Sequence, residues 1–123
     1  MFVINEDLSI YCTRGDFGLF SVQAMVGSQA YTFRVGDVVR FKVFSKKNCS
    51  DVVLTKDVAV KEESTAVEIE LSGDETKFGE IISKPVDYWY EVELNPETRP
   101  QTIVGYDDNG AKVFKLFPEG AEV

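Results

Sequence analysis

Gly15-Asp16-Phe17-Gly18-Leu19-Phe20-Ser21-Val22 and Gly36-Asp37-Val38-Val39-Arg40-Phe41-Lys42-Val43 are two copies of one pattern, Gly-Asp-x-x-x-Phe-x-Val. Each copy places alternating apolar residues after a Gly-Asp turn dipeptide, which is typical of a β-strand that starts from a tight turn. Because side chains alternate between the two faces of a strand, we expect the Phe and the Val of each copy to face the core. The repeat therefore predicts an antiparallel all-β domain.

Further strand patterns follow along the rest of the chain, with turns at short spacing and no helical stretch. The predicted strands cover residues 8–12, 19–26, 38–44, 51–60, 65–71, 87–94, 102–106 and 112–117. The segment 72–77 has the chemistry of a turn and of a helix N-cap, which predicts a single helical or 3₁₀ turn. Seven or eight strands without a linker predict one domain over residues 1–123, built as a β-sandwich or a barrel.

Two local patterns in the last third of the chain are the firmest of these signals. The strand from Asp87 to Leu94 has a period of two. It places on one face Tyr88, Tyr90, Val92 and Leu94, and on the other face Trp89, Glu91 and Glu93. The segment Asp107-Asp108-Asn109-Gly110 ends in Asn-Gly, the strongest short-range hairpin signal. We therefore expect residues 102–106 and 112–117 to form a hairpin.

Composition and charge exclude several classes of protein. The net charge of −8 and the pI near 4.5 argue against sequence-independent binding of nucleic acid or of an anionic membrane, because both need a positive field. No apolar run approaches the length of a membrane span. The first residues lack the basic and apolar regions of a signal peptide. We therefore expect the chain to be made and kept in the cytoplasm, or carried inside an assembly that leaves the cell by lysis.

The cysteine and histidine content limits redox and metal chemistry. Cys12 and Cys49 are the only cysteines, and the chain has no histidine. Cys12 ends an apolar strand pattern and is expected to be a buried, inert thiol, whereas Cys49 lies in a polar stretch and is expected to be exposed. A cytosolic origin argues against a disulfide between them. The common four-ligand zinc sites are excluded as well.

The patterns that suggest catalysis or ligand binding have simpler structural explanations. Arg14-Gly15-Asp16 spells the integrin tripeptide, but Gly-Asp recurs at Gly36-Asp37, so the repeated feature is the turn. Asp107-Asp108-Asn109-Gly110 supplies too few oxygens for calcium by itself. Glu91 and Glu93 share a face, yet no histidine or Gly-rich phosphate loop accompanies them. We expect neither an enzyme nor a metal or cofactor site.

Trp89 is the residue that most suggests a binding surface. A large aromatic on the outward face of a strand usually contacts a loop, a partner or a flat ligand. The alternative is that the chain itself covers the ring, with Arg40 or Lys42 stacking on it from a neighbouring strand. In that case the same cations would pair with Glu91 or Glu93.

Several of these motifs, taken in order, are similar to a known family. They are Ile10 through Asp16, Gly36 through Val43, Asp74-Glu75-Thr76-Lys77-Phe78-Gly79, Asp87 through Leu94, Thr102-Ile103 and Pro118-Glu119-Gly120. This order resembles small tail and baseplate proteins of phages and prophages from Gram-positive bacteria, in particular the N-terminal domain of the phage baseplate upper protein. The resemblance runs over residues 8–120, although each motif is short and largely structural.

The resemblance implies a fold and a role. In that family the domain is an immunoglobulin-like antiparallel β-sandwich, here of seven to eight strands, which tethers receptor-binding parts to the tail hub. It has no catalytic residues and no cofactor. Baseplate upper proteins continue into a helical segment and a C-terminal platform, whereas this sequence ends after the sandwich. The resemblance therefore implies the anchoring module without its arm.

Together these observations predict a non-enzymatic structural protein of a phage or prophage tail or baseplate. Its partners would be other tail or baseplate proteins within a symmetric multimer, with no nucleic acid and no membrane, in the bacterial cytoplasm during assembly and then in the virion. The expected interface residues are Trp89, Glu91, Glu93, Arg40, Lys42 and Tyr106. The alternative function is a carbohydrate-binding or adhesion module that uses Trp89 and Tyr106 as stacking platforms.

Overall fold

A computed structural model describes residues 1–120. They form eleven β-strands: β1 (Phe2–Ile4), β2 (Ile10–Thr13), β3 (Gly18–Val22), β4 (Met25–Val26), β5 (Gln29–Ala30), β6 (Val38–Phe44), β7 (Val52–Ala59), β8 (Val67–Leu71), β9 (Val86–Leu94), β10 (Gln101–Val104) and β11 (Lys112–Phe117). A 3₁₀ helix, Glu75–Lys77, lies within the segment predicted to form a single turn of helix.

The strands form two main sheets. The large sheet has seven strands in the order β1-β2-β11-β9-β6-β7, and β10 also pairs with β9. β3 and β8 form the second sheet, and β4 and β5 form a separate two-stranded hairpin. The order β11-β9-β6-β7, with β3-β8 opposite, corresponds to strands G-F-C-C′ opposite B-E of an immunoglobulin sandwich. The expected all-β sandwich is confirmed.

Aromatic side chains fill the space between the two sheets. Phe20 of β3 packs edge to face on Phe41 of β6, with ring centroids 5.4 Å apart, and Phe41 lies 5.5 Å from Tyr90 of β9. Aromatic pairs of this kind contribute about 0.5–1.5 kcal/mol beyond their buried area. Val22 and Val43 are buried beside them. The strand phase predicted from the repeat is therefore confirmed for both copies.

The two Gly-Asp dipeptides close the same kind of turn. Gly15 has a φ of +94° and Gly36 a φ of +99°, a region that glycine enters without the steric penalty of other residues. In each turn the Asp amide donates a hydrogen bond to the carbonyl three residues earlier, at 3.0 Å in both copies. The repeat is thus one turn used twice to start a strand.

Arg14, the first residue of the integrin-like tripeptide, is buried. Its guanidinium donates a hydrogen bond to the carbonyl of Lys77 at 3.1 Å. A guanidinium held inside the protein is not displayed to a receptor, so the structure agrees with the interpretation of this tripeptide as part of a turn.

The Asp37 carboxylate joins the second turn to the end of β9. It accepts hydrogen bonds from the Tyr31 hydroxyl at 2.8 Å, from the Arg34 amide at 3.0 Å and from Asn95 Nδ2 at 3.0 Å. Asn95 Oδ1 in turn accepts from the Val38 amide at 2.8 Å. Burial raises the pKa of the Asp37 carboxyl, but these hydrogen bonds outweigh burial and hold it below its usual value.

The expected hairpin near the C-terminus is wrong as a strand pairing. The turn itself forms, since the Gly110 amide donates to the Asp107 carbonyl at 2.9 Å. However, β10 pairs with β9 over Leu94 to Val92, and β11 pairs with β9 over Tyr90 to Val86. The two strands therefore lie one after the other along the same edge of β9, because that nine-residue strand offers hydrogen-bonding partners to both.

The N-terminal region also differs from the prediction. The sequence predicts one strand over residues 8–12, whereas β1 precedes it and pairs with β2. The centroid of the Phe2 ring lies 5.8 Å from that of Phe20. The Phe2 ring also lies so close to Gly18 that a Cβ there would be only 2.4 Å from it. β2 then pairs with β11 in parallel, so the large sheet is mixed rather than purely antiparallel. The short strands β1, β4 and β5 raise the strand count above the predicted seven or eight.

Removing the Asp37 carboxylate should destabilise the protein far more than removing its counterpart Asp16. Asp37→Ala leaves the Tyr31 hydroxyl and the Asn95 amide without their acceptor and should lower the free energy of unfolding by about 2 kcal/mol. Within residues 1–120 the Asp16 carboxylate pairs with the exposed N-terminal amine alone, so Asp16→Ala should lower it by less than about 1 kcal/mol. Urea denaturation of both variants measures the difference, and equal losses would contradict it.

The stability that Asp37 contributes should depend on pH. Because the folded pKa lies below the unfolded value of about 3.9, this contribution is present above pH 4 and is lost as the pH falls through the folded pKa. The difference in unfolding free energy between wild type and Asp37→Asn should therefore shrink from pH 6 to pH 2.5. A difference that stays constant over this range, measured by urea denaturation, would contradict the assignment.

Candidate functional site

The residues predicted to form an interface lie on the outer surface of the large sheet. Trp89, Glu91 and Glu93 of β9 are partly exposed and alternate with buried neighbours. Arg40 and Lys42 of β6 lie on the same side, since β6 pairs with β9 in the register Arg40↔Glu93 and Lys42↔Glu91. One surface, here called the outward face, thus carries these five residues.

Arg40 is held by two carboxylates that are not the predicted ones. Its Nε and Nη2 donate to the two Asp57 oxygens at 2.8 and 3.0 Å, and its Nη1 donates to Glu97 at 2.8 Å. The hydrogen bonds to Asp57, and then to Glu97, raise the pKa of the guanidinium, and the contact with Arg40 lowers the pKa of Asp57. The bidentate contact with Asp57 fixes the Arg40 side chain at the edge of the outward face next to β7.

Lys42 forms one of the predicted ion pairs. Its Nζ lies 2.9 Å from Glu93 Oε1. It also lies 5.8 Å from the centroid of the Phe44 ring, a cation–π distance. The alternative in which Arg40 or Lys42 stacks on Trp89 is therefore wrong. Lys42 lies over Phe44, two residues further along β6, and Arg40 is held by its two carboxylates.

An apolar row crosses the charged outward face. Trp89 has Phe44 directly opposite it on β6 and Val113 directly opposite it on β11. Phe44 is only 3% exposed, whereas Trp89 and Val113 are half-buried. Side chains directly opposite each other on neighbouring strands are close enough to pack. Part of the indole is therefore covered by the chain, and part of it remains accessible.

The position of Cys49 differs from the expectation of an exposed thiol. The loop between β6 and β7 places Cys49 at a φ of +58°, and the side chain is half-buried beside Glu91. Burial, and then the Glu91 carboxylate, raises the pKa of this thiol to about 11. Cys12 is fully buried, as predicted, and burial raises its pKa to about 11 as well. Both thiols are free and are protonated at neutral pH.

Tyr106, the sixth predicted residue, lies at the margin of the outward face. It is 72% exposed and follows Gly105, whose Cβ position would lie 3.7 Å from Cγ of Glu91. The backbone before Tyr106 therefore packs against the Glu91 side chain. Tyr106 thus follows a segment that packs against one of the carboxylate side chains of β9, and its own ring is exposed.

The two glutamates of β9 on the outward face are engaged within the chain. Glu93 is neutralised by Lys42, and Glu91 packs against Cys49 and Gly105. Within residues 1–120, no group of three or more His, Cys, Asp or Glu side chains could hold a metal ion. The face therefore presents the partly exposed Trp89 and Val113 beside ion pairs that are already formed within the chain.

Sequence reasoning missed a second surface, an apolar cleft of about 230 Å³ between the two sheets. Leu8 lies at this cleft and has a φ of +69°, an unfavourable conformation for a residue other than glycine. The only sequence signal is the turn-forming Asn5-Glu6-Asp7 before it. The cleft is formed by β3 and β10 in different sheets, a juxtaposition that local patterns do not contain.

Phe44 and Trp89 should differ in what they contribute to the isolated protein. Phe44→Ala removes a buried ring and should lower the free energy of unfolding by about 3 kcal/mol. Trp89→Ala should lower it by about 1–2 kcal/mol, because part of the indole already meets solvent. Guanidinium denaturation of the two variants tests this. An equal or larger loss for Trp89→Ala would mean that the indole serves internal packing alone.

Among residues 1–120 no helix is long and apolar enough to cross a membrane. Comparisons of the chain with protein-family models, with curated proteins and with solved structures find no match.

Proposed function

We propose that this chain is a non-enzymatic structural protein of a phage or prophage tail or baseplate. It docks to partner subunits through strand edges and through the outward face of the large sheet. It is produced in the bacterial cytoplasm and carried into the virion, where several copies occupy equivalent positions.

The observation that carries the docking role is the partly exposed Trp89 beside ion pairs that are already formed. Arg40 is saturated by Asp57 and Glu97, and Lys42 is paired with Glu93. These charges gain little from a new partner. The accessible part of the indole does gain, because its remaining apolar surface is removed from water on contact. Interface residues with a large energetic contribution are typically aromatic, with less important contacts around them.

The resemblance supports the choice of assembly. It rests on the order of short motifs over residues 8–120, and in that family the domain tethers other components to the tail hub. The immunoglobulin-like strand order of β11-β9-β6-β7 opposite β3-β8 agrees with the fold that the resemblance implies. The net charge of −8 keeps free copies apart before assembly.

Purified particles from the bacterium or phage that encodes this chain should contain it. Mass spectrometry should detect it at a fixed ratio to the other tail proteins. Trp89→Ala should reduce its incorporation by about tenfold, the effect of losing roughly 1.4 kcal/mol at an interface. Ile81→Ala, which alters an exposed apolar residue outside the strands, should be incorporated normally. Particles that lack the chain, or equal incorporation of both variants, would contradict the proposal.

A carbohydrate-binding module is the second candidate, favoured by the exposed Tyr106 and the partly exposed Trp89. Aromatic rings stack on the apolar faces of sugars through the same removal of surface from water. In that case the isolated protein should bind host-wall glycans, and both Trp89→Ala and Tyr106→Ala should abolish binding in a glycan pull-down. Loss of particle incorporation without any glycan binding favours the structural role.

A further inference from the structure

β3 leaves one side of its backbone unpaired. Among the strands of residues 1–120 it pairs with β8 alone, over Gly18↔Leu71 to Val22↔Val67. Within residues 1–120, the backbone of Leu19 to Gln23 has no hydrogen-bonded partner on the side away from β8. A strand edge of this kind is a template for the addition of another strand.

An apolar cleft runs beside this free edge. β3 lines it with Phe20 and Val22, and β10 lines it with Ile103 and Val104. Its volume is about 230 Å³. The cleft therefore lies where the side chains of a strand added to β3 would enter the space between the two sheets, since alternate side chains of such a strand point inward.

Leu8 is held at the mouth of this cleft by the core. Its carbonyl accepts a hydrogen bond of 2.5 Å from the hydroxyl of Tyr90, and its amide donates to the Asn5 carbonyl at 2.9 Å. The next residue, Ser9, donates its amide and hydroxyl to Asp7 at 2.9 and 2.6 Å. These bonds keep Leu8 at a φ of +69°, with its side chain 41% exposed. Strain that is maintained by the surrounding structure is typical of binding sites.

The charges around the cleft are negative and favour a basic partner. Glu68 and Glu70 of β8 are exposed, lie directly opposite Ser21 and Leu19 of β3, and form no ion pair within residues 1–120. Glu6, in the loop before Leu8, is likewise unpaired there. Lysine or arginine side chains on a strand added beside β3 would lie on the same face of the sheet as Glu68 and Glu70. They would be separated from these carboxylates by the width of β3, about 10 Å. A second copy of this chain, with its net charge of −8, would be repelled.

We propose that the free edge of β3 and the adjacent apolar cleft bind an extended segment of a partner protein in which apolar and basic residues alternate. The segment adds a strand to the β3–β8 sheet. Its apolar side chains enter the cleft against Phe20, Val22 and Leu8, and its basic side chains lie on the same face of the sheet as Glu68 and Glu70. This inference rests on the proposed docking function and identifies one edge and the chemistry of its partner.

A capped eight-residue peptide of alternating valine and lysine is a suitable probe. Titrated into ¹⁵N-labelled protein, it should shift the amide signals of β3, Leu8 and β10, and added salt should weaken its binding. A matched peptide of alternating valine and glutamate should not bind. Shifts confined to β7, an edge strand of the large sheet, or equal binding of both peptides, would overturn the proposal.

Two variants separate the apolar and the charged parts of the site. Leu8→Gly suits the positive φ, so the melting temperature should stay within about 3 °C, while peptide binding should weaken about tenfold through the lost apolar contact. Glu68→Gln combined with Glu70→Gln should weaken it about fivefold. The control, Glu80→Gln combined with Asp108→Asn, makes the same charge change elsewhere and should weaken it less than twofold. Unchanged binding in both test variants would overturn the proposal.

Failure of this inference is distinguishable from failure of the proposed function. A chain that is present in purified particles but does not bind the valine–lysine peptide retains its structural role and loses this binding edge. A chain that binds the peptide through β3 but is absent from particles retains the binding edge and loses the assignment to a tail. Dimers that form through β3 without peptide would overturn the choice of a basic partner segment.

Discussion

The period-two alternation of β9 is the constraint on which the rest of the structure depends. One face of this strand supplies Tyr90 and Val92 to the core, and the other supplies Trp89 and two glutamates to the outward face. A register shift of one residue would exchange these two sets and bury the carboxylates at high cost. β6 on one edge, with β11 and β10 on the other, holds the register. Packing between the sheets and the composition of the outward face are therefore two results of one pairing.

Features decided by local chemistry could be predicted from the sequence. The glycines at positions 15 and 36 both take positive φ values, and the strands that follow present the expected Phe and Val to the core, because a turn sets the phase of the strand that leaves it. The faces of β9 and β8 follow in the same way from alternation. The β9 part of the outward face, Trp89, Glu91 and Glu93, could be predicted because the period of two is sufficient for that.

Features that depend on which strands meet could not be predicted. The Asn109-Gly110 turn forms, yet the strands on either side of it pair with β9 instead of with each other. Arg40 selects Asp57 from β7 and Glu97 from a loop, so its partners come from segments whose proximity only the fold creates. β1 could not be predicted from the local pattern, because the contact of the Phe2 ring with Gly18 exists only in the folded chain. The cleft at β3 was missed for the same reason, because its walls come from two sheets.

The pairing of β11 with β9 has a consequence for partly folded states of the chain. The edge of β9 that β11 covers is unpaired whenever Lys112–Phe117 is detached. In such a state the chain displays an aromatic-rich strand with an open edge, the kind of segment that associates with other chains. Asp87, Glu91 and Glu93 place carboxylates at alternate positions of this strand, where charges act as gatekeepers against aggregation. The carboxylates of the outward face thus oppose association of the partly folded chain through β9.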